Sequence, residues 1–126
     1  AALGRLDAAA MADVELALRL GRLAGRLKAP DEAVRFFARA VALDPSNADA
    51  RLQFGVALVV QQQLEAARTE LAAAVAADPR LADALAYLAY CEVALGNVET
   101  GRRHAEAALA LEPAHPIAAS VLAAIK

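Results

Sequence analysis

The chain is poor in most of the side chains that do chemistry. It has one cysteine, no tryptophan, two tyrosines and two histidines in 126 residues. A lone cysteine cannot close an internal disulfide, so no disulfide framework holds the fold, and the compartment stays open between cytoplasm and periplasm. His104 and His115 lie 11 residues apart, which is not zinc-ligand spacing on one helix. No Cys–His dyad, phosphate-binding glycine loop or metal-ligand cluster is legible, so no enzymatic activity, cofactor or metal site is expected. Long hydrophobic runs are missing too. Hydrophobic residues make up 60% of the chain, yet the longest unbroken apolar run is Ala84 to Cys91. A bilayer needs about 20 such residues, so membrane insertion is not expected. A net charge of −2 offers no bulk attraction for nucleic acid.

What is present is alanine, with 37 copies, which accounts for the mean hydropathy of +0.39. Alanine is the best helix former, and its small side chain lets helices approach closely. Arginine outnumbers lysine 11 to 2. This balance, with the alanine and leucine load, suggests a GC-rich bacterial genome. The chain starts Ala-Ala-Leu without Met, and it reads as a module of a larger bacterial protein.

One short signal occurs three times: Leu43-Asp44-Pro45, Ala77-Asp78-Pro79 and Leu111-Glu112-Pro113. The prolines are 34 residues apart, each after an alanine-rich apolar run. A period in the range of about 20 to 50 marks a solenoid, and 34 points to helix pairs. Apolar spacing and breakers place the helices at about 13–27, 31–43, 48–61, 64–77, 82–95 and 98–111. Asp13 is the expected N-cap of the first and Asn47 of the third. Pro30 suits a helix start, with Asp31 and Glu32 in its first turn. Gly96 suits a left-handed C-cap. Residues 1–12, with Leu3, Leu6 and Met11 as an apolar stripe, read as a leading helix or the remnant of an upstream unit. Residues 116–126 supply a last helix that covers the exposed end of the array.

Aligned on the prolines, the units 14–47, 48–81 and 82–115 resemble the tetratricopeptide repeat. The resemblance rests on Leu20-Gly21, Phe54-Gly55 and Leu88-Ala89, on small Ala33, Ala67 and Gly101, and on Ala40, Ala74 and Ala108. Phe37 fits the usual aromatic position, Leu71 is tolerable there and Ala105 departs from it. The family implies an all-α, right-handed superhelical solenoid of antiparallel helix pairs. Three units plus a C-terminal capping helix would fill 13–126. Small residues would let paired helices come close, and large ones would fill the space between pairs. Cys91 falls on a usually small, buried position.

Such arrays are binding scaffolds whose first helices line a concave groove. The resemblance places Leu18, Arg19, Arg22 and Arg26 in that groove, then Leu52, Gln53, Val56, Val59 and Val60, then Tyr87 and Tyr90. The arginines share one helix face. The middle is apolar, and the tyrosines add rings with a polar tip. The expected partner is a protein or peptide segment with apolar anchors and some acidic groups. Blander readings stand beside this one. The arginines can be a solvated face, the valines can cover the chain's own N-terminal segment or another copy, and the tyrosines can cover neighbouring helices. Glu15, Asp49 and Asp83 fit a first helical turn without any ligand. Arg35, Arg39, Arg68, Arg102 and Arg103 read as a solvated convex face. Gly21 and Gly25 read as a site of close helix packing. Some relatives clamp a peptide's C-terminal carboxylate. The matching positions are Leu18, Arg22, Gln53, Asp83 and Tyr87, where Asp83 would repel a carboxylate, so that mode is not expected. Self-assembly into a homo-oligomer, or a secretion-type chaperone holding an apolar cargo segment, are the alternatives.

Overall fold

The computed structural model describes residues 8–125, with side chains from Ala12 onward. Leu3, Leu6 and the Met11 side chain lie outside the described residues. Seven helices follow one another: α1 (Ala8–Arg26), α2 (Pro30–Leu43), α3 (Ala48–Val60), α4 (Leu64–Ala77), α5 (Ala82–Ala94), α6 (Val98–Leu111) and α7 (Pro116–Ile125). There is no strand among the described residues. The helices pack as α1 on α2, α3 on α4 and α5 on α6, and α7 lies on α5 and α6. The architecture is an all-α helical-repeat solenoid.

The threefold acid–proline signal has a structural cause. Asp44, Asp78 and Glu112 each leave the helical conformation while donating their N–H to Ala40, Ala74 and Ala108. Their carbonyls then accept from Asn47, Leu81 and His115, three residues on, at 3.1, 3.2 and 3.0 Å. Each acid therefore opens a tight turn, and proline next to it has the fixed φ such a turn wants. The turns inside each helix pair also repeat. Lys28, Gln62 and Gly96, spaced by 34, have φ of +57°, +61° and +96°. The next residues, Ala29, Gln63 and Asn97, donate back to Ala24, Leu58 and Glu92 at 2.8, 2.9 and 2.7 Å. This is a left-handed helix stop. Glycine announces it once, and lysine and glutamine adopt it twice at a steric cost.

Asn47 caps α3 as expected, its Oδ1 accepting from the Ala50 N–H at 3.0 Å. Asp13 does not cap α1. It lies inside α1, which already runs through residues 8–12, because the alanines before it propagate the helix on their own. Glu15 therefore sits outside any first turn.

Packing between paired helices is set by how volume is shared. At Gly21 an added Cβ would stand 2.4 Å from the Phe37 ring. At Gly55 it would stand 2.6 Å from Leu71 Cγ. In the third pair, Ala89 and Ala105 are both small and fully buried, and Gly101 instead takes in Val93, whose Cγ2 would be 2.4 Å from an added Cβ. The departure at Ala105 is thus offset within the same pair. Cys91 is fully buried among Leu52, Leu58, Ala67, Leu71, Ala74, Ala84 and Leu88. Burial pushes its thiol up to about 11.

Candidate functional site: a groove between the first and third helices

The main concavity lies where α1 and α2 meet α3. It encloses about 790 Å³. Ala33, Phe37, Val56, Ala57 and Val60 make it apolar, and Arg22, Arg26, Lys28 and Gln53 stand around it. Its existence depends on Gly25. An added Cβ at Gly25 would meet nothing within 4 Å, so this glycine opens a space and is not a point of close packing, unlike Gly21. The residues 34 and 68 positions on are Val59 and Val93, which carry side chains where Gly25 has none.

Five of the eleven expected groove residues come together here: Arg22, Arg26, Gln53, Val56 and Val60. Val60 is 65% exposed, unusual for a valine with nothing to cover it. Leu18 and Leu52 do not offer a surface. Both are buried in core clusters, because their side chains turn into the packing between helices. Arg19 is exposed but stands outside the concavity. Val59 and Tyr87 are half-buried against the middle cluster, and Tyr90 is exposed on α5. Lys28, Ala29, Pro30, Ala33 and Phe37 were not anticipated. Their signal is the Gly25 substitution within an otherwise valine-bearing phase, which only a repeat-by-repeat comparison reveals.

The charges are partly organised. Arg22 on α1 meets Asp49 on α3 at 3.2 Å, and Asp49 also accepts from Gln53. The pair is half-exposed and contributes at most about 1 kcal/mol to stability. Its consequence is that Arg22 is held in place at the rim, while Arg26 and Lys28 remain exposed beside the apolar floor. On the opposite side of the solenoid, Arg68 is not simply solvated. It bridges Glu65 at 2.9 Å and Glu92 at 3.6 Å. Arg35 and Arg102 pair with Glu32 and Glu99 one turn away.

A second cluster was hidden by sequence distance. His115, buried at the start of α7, lies with Asp83 and Glu112 so that their ligand atoms fall within 4.8 Å. His115 Nε2 stands 2.6 Å from Asp83, and Nδ1 faces the Ala118 N–H at 3.5 Å. With Nδ1 accepting, Nε2 carries the proton and donates to Asp83. Both ring nitrogens are therefore committed to capping α7 and tying it to α5. The set reads as a structural tie between α7 and α5.

No helix among the described residues is long and apolar enough to cross a membrane. Residues 26–81 match the family model for the tetratricopeptide repeat. No curated protein matches the sequence. Among solved structures, the chain resembles a Thermobaculum terrenum O-GlcNAc transferase mutant with 28% identity and a TM-score of 0.86, covering 95% of this chain and 23% of that one. It also resembles YrrB, described as a tetratricopeptide-repeat protein with an unusual peptide-binding site. There the identity is 29% and the TM-score 0.77, over 85% of this chain and 55% of that one. The second such domain of human RPAP3, solved with an HSP70 peptide, aligns at 22% identity and a TM-score of 0.86, covering 92% and 97%.

Proposed function

We propose that this chain, whose residues 26–81 match the tetratricopeptide-repeat model, acts as a non-enzymatic protein-interaction scaffold that takes a partner segment in the groove between α1 and α3. The observation that carries this reading is the apolar hollow opened by Gly25 and rimmed by Arg26 and Lys28. A bulky apolar side chain of the partner would fill the space against Phe37, Val56 and Val60. A neighbouring Asp or Glu would meet Arg26 or Lys28, where a carboxylate gains a charge-assisted hydrogen bond. Arg22, fixed by Asp49, and Gln53 would bind the segment's backbone or a second acid. Val59, Tyr87 and Tyr90 would extend the contact along α3 and α5. The peptide-binding site named for YrrB supports interaction as the role. The carboxylate-clamp mode is not favoured, because Leu18 is buried and Asp83 is tied to His115. The alanine-rich, arginine-rich composition is consistent with a module of a larger bacterial protein.

The test is peptide selection by display against wild type and against Gly25→Val. Selected sequences should pair a large apolar residue with an acid and should lose binding to the variant by roughly tenfold or more. Selection of sequences without that pairing, or equal binding to Gly25→Val, would sink the assignment.

A further inference from the structure

The outer face of α1 carries a second apolar feature that the groove does not use. Leu16, Leu20, Leu23 and Leu27 follow one another at spacings of 4, 3 and 4, which lines them on one side of the helix. Leu16, Leu23 and Leu27 are 52%, 42% and 70% exposed. In the later units the same phase is the joint between neighbours. Ala50 and Ala57 are buried against α2, and Ala84 and Cys91 against α4. The stripe on α1 is thus a joint face, and among the described residues nothing packs on it.

Its side chains differ from those of the internal joints. At two of the four positions α3 and α5 present alanine or cysteine where α1 presents Leu16 and Leu23, whereas Leu20 matches Phe54 and Leu88, and Leu27 matches Gln61 and Leu95. Helices approach according to the side chains between them, so leucines hold a neighbour farther out than alanines do. The 4-3-4 leucine spacing is that of a coiled-coil seam. The helix is also longer, with 19 residues against 13 in α3 and α5. Arg19 and Arg26, seven residues apart, run along the edge of the stripe nearest the groove. Both are exposed, and neither enters a salt bridge among the described residues. Glu15, exposed one turn before Arg19, lies on the same edge, which therefore keeps a net positive charge.

We propose that the outer face of α1 docks an amphipathic helix of a partner protein, with a leucine-type apolar stripe flanked by aspartate or glutamate. The site shares Arg26 with the rim of the groove and is otherwise built from residues the groove does not use, so it stands whether or not the groove reading does. The acidic flank meets Arg19 and Arg26, and the apolar stripe interleaves with the four leucines.

The experiment uses a synthetic helix of about three heptads, with leucine at a and d and glutamate at e and g. Its twin carries lysine in place of each glutamate. Affinities are read by fluorescence anisotropy on wild type, Leu23→Glu, Arg19→Glu/Arg26→Glu and the groove-filling Gly25→Val. The glutamate helix should bind wild type and Gly25→Val alike. It should bind Leu23→Glu at least about tenfold more weakly. The double arginine variant should prefer the lysine helix. Circular dichroism checks that each variant is folded. Failure of the glutamate helix to bind wild type, unchanged binding to Leu23→Glu, or loss of binding in Gly25→Val would overturn the proposal. So would a concentration-dependent dimer of the chain that Leu23→Glu dissolves, because the face would then belong to a second copy.

Discussion

The two ends of this solenoid are built on one plan and finished differently. At the first end, Phe37 rests on Gly21, Gly25 leaves a hollow, and α1 shows exposed leucines on which none of the described residues packs. At the last end, alanines and Gly101 bring α5 and α6 together around Val93, and α7 covers them with Ala118 and Val121. His115 ties α7 down to Asp83 on α5. The difference teaches that a repeat fixes helix direction and phase, while the volume at a few positions decides whether a unit is closed or receptive. Interiors are packed without slack, so a glycine either admits a neighbour's side chain or leaves a space.

The comparison can be broken first at its shared element. Leu71 is fully buried on Gly55 between the two ends, and Leu71→Ala should cost about 2–5 kcal/mol. Urea denaturation would read it as a lower midpoint at unchanged slope, and a loss under about 1 kcal/mol would mean that the array relaxes around the cavity.

Two glycines then sharpen the contrast. Gly101→Ala places a Cβ against Val93 and 3.0 Å from the Ala89 carbonyl, and should destabilise by about 1–3 kcal/mol. Gly25→Ala meets nothing and should raise stability by about 0.5–1 kcal/mol, since alanine loses less entropy in a helix. Thermal unfolding of the pair tests the claim. Shifts of the same sign would erase the distinction between a closed and an open unit.

A smaller effect concerns the turns. Gln62 holds φ of +61° where Gly96 performs the same duty. Gln62→Gly should add about 1 kcal/mol, because glycine has no Cβ to crowd the left-handed conformation. A destabilised variant would show that the glutamine side chain contributes more than its strain costs.

The last effect appears only in alkali. Burial raises the Cys91 thiol from about 9.0 unfolded to about 11 folded. Below pH 9 both states hold the proton and stability is constant. Above it the unfolded chain loses the proton first, so stability should fall as pH rises from 9 toward 11. Cys91→Ala should flatten that limb of a pH-dependent denaturation series, and an unchanged slope would remove the thiol as its cause.

Most of the fold was legible because its signals are local and repeat. The acid–proline turns, the Asn47 cap and the helix stops each use residues within a few positions of one another. The start of α1 was misjudged at Asp13 because a good capping residue is no barrier to a helix already propagating through alanine. Within the candidate site, Arg22, Arg26, Gln53, Val56 and Val60 could be placed by phase. Leu18 and Leu52 could not, since one helical step separates a groove position from a core position.

The sequence alone determined the period, the helix order and the left-handed stop at Gly96, because these follow from contacts along one short stretch of backbone. Only the tertiary structure decided that Gly25 opens a hollow while Gly21 is filled by Phe37. It also decided that Arg22 is held by Asp49, 27 residues away, and that His115 reaches Asp83 across 32 residues. Those outcomes depend on how far apart separate helices sit, and that distance is set by the summed volume of side chains drawn from several elements at once.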